Sequence, residues 1–439
     1  MGDSSSTAGF VEVHGRKYLL PKRPTVAICV DGFDPEYLEQ GIADGVLPNL
    51  SQFVKSGFGV TAKCAMPSFT NPNNLSIITG APTAAHGVAG NFFLDRETKK
   101  EFMLLDDSML RGTTILRELS ERRVRIAAVT AKDKLRRIIG HGLKPENGAI
   151  CFSSEKAKSC IVAENGVSDV EKWIGRPAPS QYSGDLSLFV LDAGIKILEE
   201  DRADLLYLTL SDYIQHHHAP GSKESDAFMK ALDERIGKLT SLGALVAVTG
   251  DHGMSDKADE HGNPNVLFLQ DVLEAKWGKG FARVICPITD PFVKHHGALG
   301  SFVRVHLDDS NSTHSRVPAA EVLEFCKTLP QVELALDGAS AAATFEMPAD
   351  READIVVVAK PTAVIGSCAA EHDLSSVAGH RLRSHGGLSE QEIPLLMSRP
   401  VRDASASGSG GGVLGQAEGG AGRAWRNFDI FHLLLNEAA

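Results

Sequence analysis

Four apolar, β-branched runs constrain this chain more than any other feature: TVAICV (25–30), VRIAAVT (124–130), LLYLTL (205–210) and ALVAVTG (244–250). Runs with no polar face suit strands buried on both sides, the condition of a parallel sheet covered by helices. Helical patterns such as PNLSQFVKSG, TTILRELSERR and SDAFMKALDERIGKLTSL alternate with them. The alternation predicts an α/β fold with a mostly parallel central sheet flanked by helices. With 43% hydrophobic residues in 439, the chain can bury a core of that size.

The residues just past the end of each run carry the chemistry. Asp31 comes after the first, Lys132 and Lys134 after the second, Asp212 and His216 after the third, and Asp251 and His252 after the fourth. Ligands in open α/β sheets collect beyond the carboxyl ends of the strands, so these side chains should meet at one edge. His385, in the later segment SHGGLSEQEIP, completes a set of three carboxylates and three imidazoles. Nitrogen and oxygen donors without thiolate suit zinc, with manganese or iron as alternatives, and six are too many for one tetrahedral ion but right for two. Within LTLSDYIQHHH, a helical turn after Ser211 puts Asp212 and His216 on one face and rotates His217 and His218 away. His216 is therefore the expected ligand of the triplet. In AMPSFTNPNNLSIITG, Thr70 falls at or near a helix N-cap, where backbone amides favour an alkoxide and a phosphoryl oxygen. It is the candidate nucleophile, with plain capping as the alternative role.

A formal charge of -11 argues against non-specific binding of nucleic acid or an anionic membrane, so the expected partner is a small molecule drawn by a local cationic site. Seven cysteines without a CxxC pair read as reduced thiols of a cytoplasmic protein. Neither a signal-type apolar segment nor a membrane-length run is present in the sequence. Residues 1–20 are expected to be disordered, 21–262 and 371–439 to form the catalytic core, and 263–370 a smaller α+β cap insertion. Residues 404–422 have the composition of a flexible Gly-rich loop; their GGGVLG is preceded by no strand and makes no dinucleotide site.

The segments VDGFDPEYLE, MPSFTNPNN, HGVAGNFF, TAKDKLR, LTLSDYIQHHHAPGS, VTGDHGM and SHGGLSEQEIP together resemble the alkaline phosphatase superfamily. The likeness lies in its nucleotide pyrophosphatase/phosphodiesterase-like branch, and most of all in the phosphonoacetate hydrolases. It implies one metal held by Asp31, Thr70, Asp251 and His252, and a second by Asp212, His216 and His385, the pair being two Zn2+ with Mn2+ or Fe2+ as alternatives. It further implies that Asn91 bonds a phosphoryl oxygen, that Lys132 and Lys134 take a substrate carboxylate, and that His216 stands among the substrate contacts. His217, His218, His295 and His296 have no liganding counterpart. The expected reaction is hydrolysis of phosphonoacetate to acetate and phosphate through a phospho-threonine, and a homodimer is compatible with it. Alternatives are a phosphodiesterase or nucleotide pyrophosphatase on the same bimetal core, or a non-catalytic metal- or phosphate-binding protein.

Overall fold

The computed structural model describes residues 9–290, 297–308, 317–375, 381–402, 414, 418, 419 and 423–439. The described chain opens with an antiparallel hairpin, β1 (Phe10–Val13) and β2 (Arg16–Leu19). His14 and Gly15 join them with φ of 46° and 76°, the paired left-handed conformations of a tight two-residue turn. Over residues 9–20 this differs from the disordered start expected at 1–20, of which residues 1–8 lie outside the described residues. The alternation in FVEV buries Val11 and Val13, and Tyr18 joins them from the partner strand, which is enough apolar surface to hold the hairpin on the core.

Six central strands come next: β3 (Thr25–Val30), β4 (Phe58–Lys63), β5 (Ile126–Thr130), β6 (Ile150–Ser153), β7 (Leu205–Thr209) and β8 (Leu245–Gly250). The chain then builds a separate four-stranded antiparallel sheet from β9 (Ala282–Ile285), β10 (Phe302–Leu307), β11 (Val332–Asp337) and β12 (Ile355–Ala359), in the order β9-β10-β12-β11. It returns to the first sheet as β13 (Glu392–Met397). The completed central order is β4-β13-β8-β3-β7-β5-β6. The pairings from β8 through to β6 are parallel, and β13 is antiparallel to both its neighbours. The sheet is therefore mostly parallel, as the four apolar runs require.

Five helices matter for the site: α1 (Thr70–Thr79), α2 (Asp133–Ile139), α3 (Asp185–Glu199), α4 (Tyr213–His217) and α5 (Lys223–Ser241). On one face of the sheet, Phe189 and Val190 of α3 and Leu232 and Ile236 of α5 pack with Ile28, Leu206 and Val246. On the other, Ile77 and Ile78 of α1 meet Ala27, Tyr207 and Ala247, together with Ile430 and Phe431 of the C-terminal helical segment. Successive strand residues thus point to opposite cores, each fully buried aliphatic side chain contributing about 1.5–3 kcal/mol before entropy is counted.

The departing and returning chain is joined twice beside the central sheet. Ser255–Asp256 pairs antiparallel with Arg383–Ser384, and Val266–Phe268 pairs parallel with Val364–Gly366. The second sheet also touches the core directly: the Ser301 amide donates to the His385 carbonyl at 2.9 Å. The buried Arg304, paired with Glu352, donates to the Ala89 carbonyl at 3.0 Å. All seven cysteines are free. Among the described residues no helix is long and apolar enough to cross a membrane. Most of the Gly-rich loop expected at 404–422 lies outside the described residues, as do His295 and His296.

Candidate metal centre and substrate cavity

Asp212, Asp31 and Asp251 stand just beyond β7, β3 and β8, three strands that are consecutive neighbours and run parallel. Strand order alone therefore brings three carboxylates from distant parts of the sequence to one edge. Lys132 and Lys134 come after β5, on the far side of β7. His216 lies on α4, one helical turn after Asp212, with its Nε2 2.9 Å from Asp212 Oδ2. His217 instead packs at a tilt against Tyr213 with ring centroids 4.5 Å apart, and His218 faces Glu224. The spacing argument thus separates the three histidines as expected.

The three expected imidazole ligands share one arrangement. Nδ1 of His216 donates to the Arg383 carbonyl at 2.7 Å, that of His252 to Gly253 at 2.8 Å, and that of His385 to Ser68 at 2.8 Å. With Nδ1 occupied by a backbone carbonyl, each Nε2 is turned to the carboxylates, the orientation a metal ligand needs. His252 Nε2 lies 3.2 Å from Asp31 Oδ1 and 3.3 Å from Thr70 Oγ1. His385 Nε2 lies 3.9 Å from Asp212 Oδ2.

Ligand atoms of Asp31, Asp251 and His252 lie within 4.8 Å of one another, and so do those of Asp212, His252 and His385. His252 thus stands in both groups, its ring stacked on that of His385 at 3.5 Å between centroids.

The electrostatics match a cation site. Burial, with Asp212 beside it, raises the Asp31 pKa, and burial with Asp31 raises that of Asp251 well above the ordinary value. Burial opposes a proton on His252, but Asp251 and Asp31 outweigh it and lift its pKa to about 10. Burial, with His252 and His216 adding, depresses His385 well below the usual imidazole range. Carboxylates crowded in a dry pocket repel each other until cations neutralise them. Asp31 Oδ1 is buried and accepts no hydrogen bond of good geometry among the described residues, its close polar neighbour being His252 Nε2 at 3.2 Å. This donor set, of nitrogen and oxygen without sulfur, fits zinc or a similar divalent ion.

Beside these groups lies a cavity of about 250 Å3, whose walls include Asp31, Thr70, Asn91, Lys132, Lys134, Asp212 and His385. Thr70 is the first residue of α1, with Phe69 as N-cap, so it sits one position inside the expected cap while still presenting its hydroxyl at the helix start. Lys132 Nζ is 3.5 Å from Asp212 Oδ1; burial opposes its charge, yet Asp212 and Asp31 raise its pKa. Burial lowers the pKa of Lys134 despite its ion pair with Asp290. His216, also expected among the substrate contacts, is not on the cavity wall: it is 1% exposed, on Asp212 and the Arg383 carbonyl.

Sequence reasoning missed Asp290, which comes from the segment after β9, and Asn74, which bonds Asp251 from α1. Asn74 closes the segment MPSFTNPNN without a role that local sequence assigns, and Asp290 lies in no quoted motif, so only the folded chain reveals their partners.

A family model described as type I phosphodiesterase / nucleotide pyrophosphatase matches residues 25–387. The phosphonoacetate hydrolase of Sinorhizobium meliloti 1021, solved with phosphonoformate, superposes with a TM-score of 0.89 at 42% identity, covering 98% of this chain and 99% of that one. The chain belongs to this family, among its phosphonoacetate hydrolases. The same enzyme solved with phosphonoacetate gives the same TM-score of 0.89. A phosphonoacetate hydrolase sequence of Penicillium oxalicum is 72% identical over 29 residues, 7% of this chain and 40% of that sequence. Bis(5'-adenosyl)-triphosphatase ENPP4 of Pongo abelii is 25% identical over 244 residues, 52% of this chain. The match spans 47% of ENPP4, about half the length of that curated relative.

Proposed function

We propose that this phosphonoacetate hydrolase family member is a dizinc hydrolase that cleaves the carbon–phosphorus bond of phosphonoacetate, giving acetate and inorganic phosphate. The observation that carries the reading is one cavity with Thr70, Asp31, Asp212 and His385 on its walls together with two lysines. A phosphonate carrying a carboxylate needs both features, and the relative solved with phosphonoacetate supports the pairing. Asp31, Thr70, Asp251 and His252 would hold one ion, and Asp212, His216 and His385 the other. Bound there, the ions supply positive charge that lowers the hydroxyl pKa of Thr70 and offsets charge on the departing group.

The chain's own residues account for the rest. Thr70 Oγ1 attacks phosphorus and loses its proton, while the carbon–phosphorus bond breaks with its electron pair on the α-carbon. Lys132 and Lys134 hold the adjacent carboxylate, over which that pair delocalises as an enediolate. Protonation at carbon gives acetate, so one proton lost by Thr70 is matched by one gained there. Asn91, on the same cavity, orients a phosphoryl oxygen. Water then attacks phospho-Thr70, releases phosphate and restores the hydroxyl.

The breadth of the matching family model favours a second reading, a phosphodiesterase on the same cluster. Phosphate release from phosphonoacetate, measured beside turnover of a bis-aryl phosphodiester with zinc loaded, separates the two. A preference for the phosphonate is expected. A diester turned over faster would overturn the reading.

A further inference from the structure

Asn74 lies on α1, one helical turn beyond Thr70, and is 0% exposed. Its amide uses its full bonding capacity. One Nδ2 hydrogen goes to the Thr70 carbonyl at 3.0 Å and the other to Asp251 Oδ2 at 3.2 Å. Its Oδ1 accepts from the Tyr207 hydroxyl at 2.6 Å and from Thr209 Oγ1 at 2.8 Å. A reversed amide would set its oxygen against the Thr70 carbonyl and the Asp251 carboxylate, so the orientation is fixed by its partners. The other carboxylate oxygen, Asp251 Oδ1, is held by the amides of Gly32 and His252.

From this we infer that Asn74 is a positioning residue, a single amide that sets the nucleophile-bearing turn, the ligand Asp251 and strand β7 in register with one another. Tyr207 and Thr209 belong to β7, whose chain continues to Asp212. One side chain therefore ties the peptide of Thr70 to a carboxylate of one proposed metal group and to the strand that delivers a carboxylate of the other. Hydrogen-bond donors that orient ligating carboxylates contribute to metal affinity as well as to rate, and losing them typically costs 10–100-fold in either. The assignment of Asp251 and Thr70 to metal and nucleophile rests on the function proposed above.

Zinc affinity, measured by competition with a chelator, tests the inference without substrate. Asn74→Ala is expected to weaken zinc binding at least 10-fold and to lower kcat 10–100-fold with KM changed less than threefold. Because removing a buried amide also loosens the fold, Tyr207→Phe with Thr209→Val supplies a gentler variant, keeping side-chain volume and the Nδ2 donors while freeing the amide to turn. It should lower kcat about 3- to 10-fold with a native circular dichroism spectrum. Wild-type zinc affinity in Asn74→Ala, or wild-type kcat in the gentler variant, would overturn the inference. If wild-type protein turned over no phosphonate, the proposed function would fall, while the zinc titration would still decide the role of Asn74.

Discussion

His216 points its Nε2 at Asp212 whereas His217 packs against Tyr213, so neighbouring histidines should respond to substitution in opposite ways. His216→Ala should remove one of about two bound ions by elemental analysis and nearly all activity. His217→Ala should do neither; equal damage from both would reassign the triplet. Thr70→Ala should abolish turnover and leave the metal content largely intact, while Thr70→Ser should keep part of the rate because the hydroxyl survives. An alanine variant turning over normally would mean that water attacks phosphorus directly. A charge-assisted hydrogen bond is worth about 1.5–3 kcal/mol, so Lys132→Ala and Lys134→Ala should each cut kcat/KM for phosphonoacetate by about one to two decades. Hydrolysis of an aryl phosphate lacking a carboxylate should fall much less, and parallel losses would count against a carboxylate-binding role. The convergence of these residues was legible because each expected metal ligand, Thr70 and the lysines come directly after a strand or sit in a short motif. The partnerships of Asn74 and Asp290 were not, although Asn74 lies within MPSFTNPNN, since hydrogen bonds and ion pairs across 177 and 156 positions leave no trace in local sequence.

Among the elements, the returning segment around His385 is the one most exposed to backbone error. Gly386 has φ of +117°, and a Cβ there would come within 2.4 Å of the Phe69 ring. Phe69 is the N-cap of α1 and His385 is bonded to Ser68, so the first glycine of SHGG holds the nucleophile turn and a ligand in contact. Gly386→Ala should therefore destabilise by more than about 1 kcal/mol, the backbone penalty alone, and reduce bound metal. Thermal unfolding combined with elemental analysis checks both, and a variant with native melting and full metal would refute the argument. The central strands of the apolar runs were legible from continuous burial. The edge strand β4 alternates FGVTAK and the hairpin alternates FVEV, short signals that compete with turn and loop readings until a packing partner is known. The His-Gly turn between β1 and β2 was readable in principle, because Gly supplies one of the two left-handed residues it needs.

For the molecule as a whole, acid should be more harmful than the surface charge suggests. Burial lowers the pKa of His86 to about 3 and of His306 to about 4. Both values lie below the unfolded value of about 6.5, so the unfolded chain binds protons that the folded chain refuses. Their contribution is complete above about pH 6.5 and is lost as pH falls toward about 3 to 4, each imidazole costing about 1.4 kcal/mol per pH unit inside its window. Asp34 works the other way: burial raises its pKa to about 6, so the folded state keeps its proton and one imidazole is offset between about pH 4 and 6. Urea midpoints of the metal-loaded protein should fall from about pH 7 to 5, and His86→Gln should flatten that slope by about one proton. An unchanged slope would show that the imidazole already exchanges its proton in the folded state. The change of texture after residue 263 marks the part of the chain that builds the four-stranded sheet, but nothing local shows how its ends are joined. Ser255–Asp256 with Arg383–Ser384, and Val266–Phe268 with Val364–Gly366, clamp the departing chain to the returning one just before His385. That clamp leaves the outer surface of the intervening segment, on the order of a hundred residues, free to vary in length and character while Ser301 and Arg304 keep its inner face seated, so that substrate preference can drift without reassembling the ligand cluster.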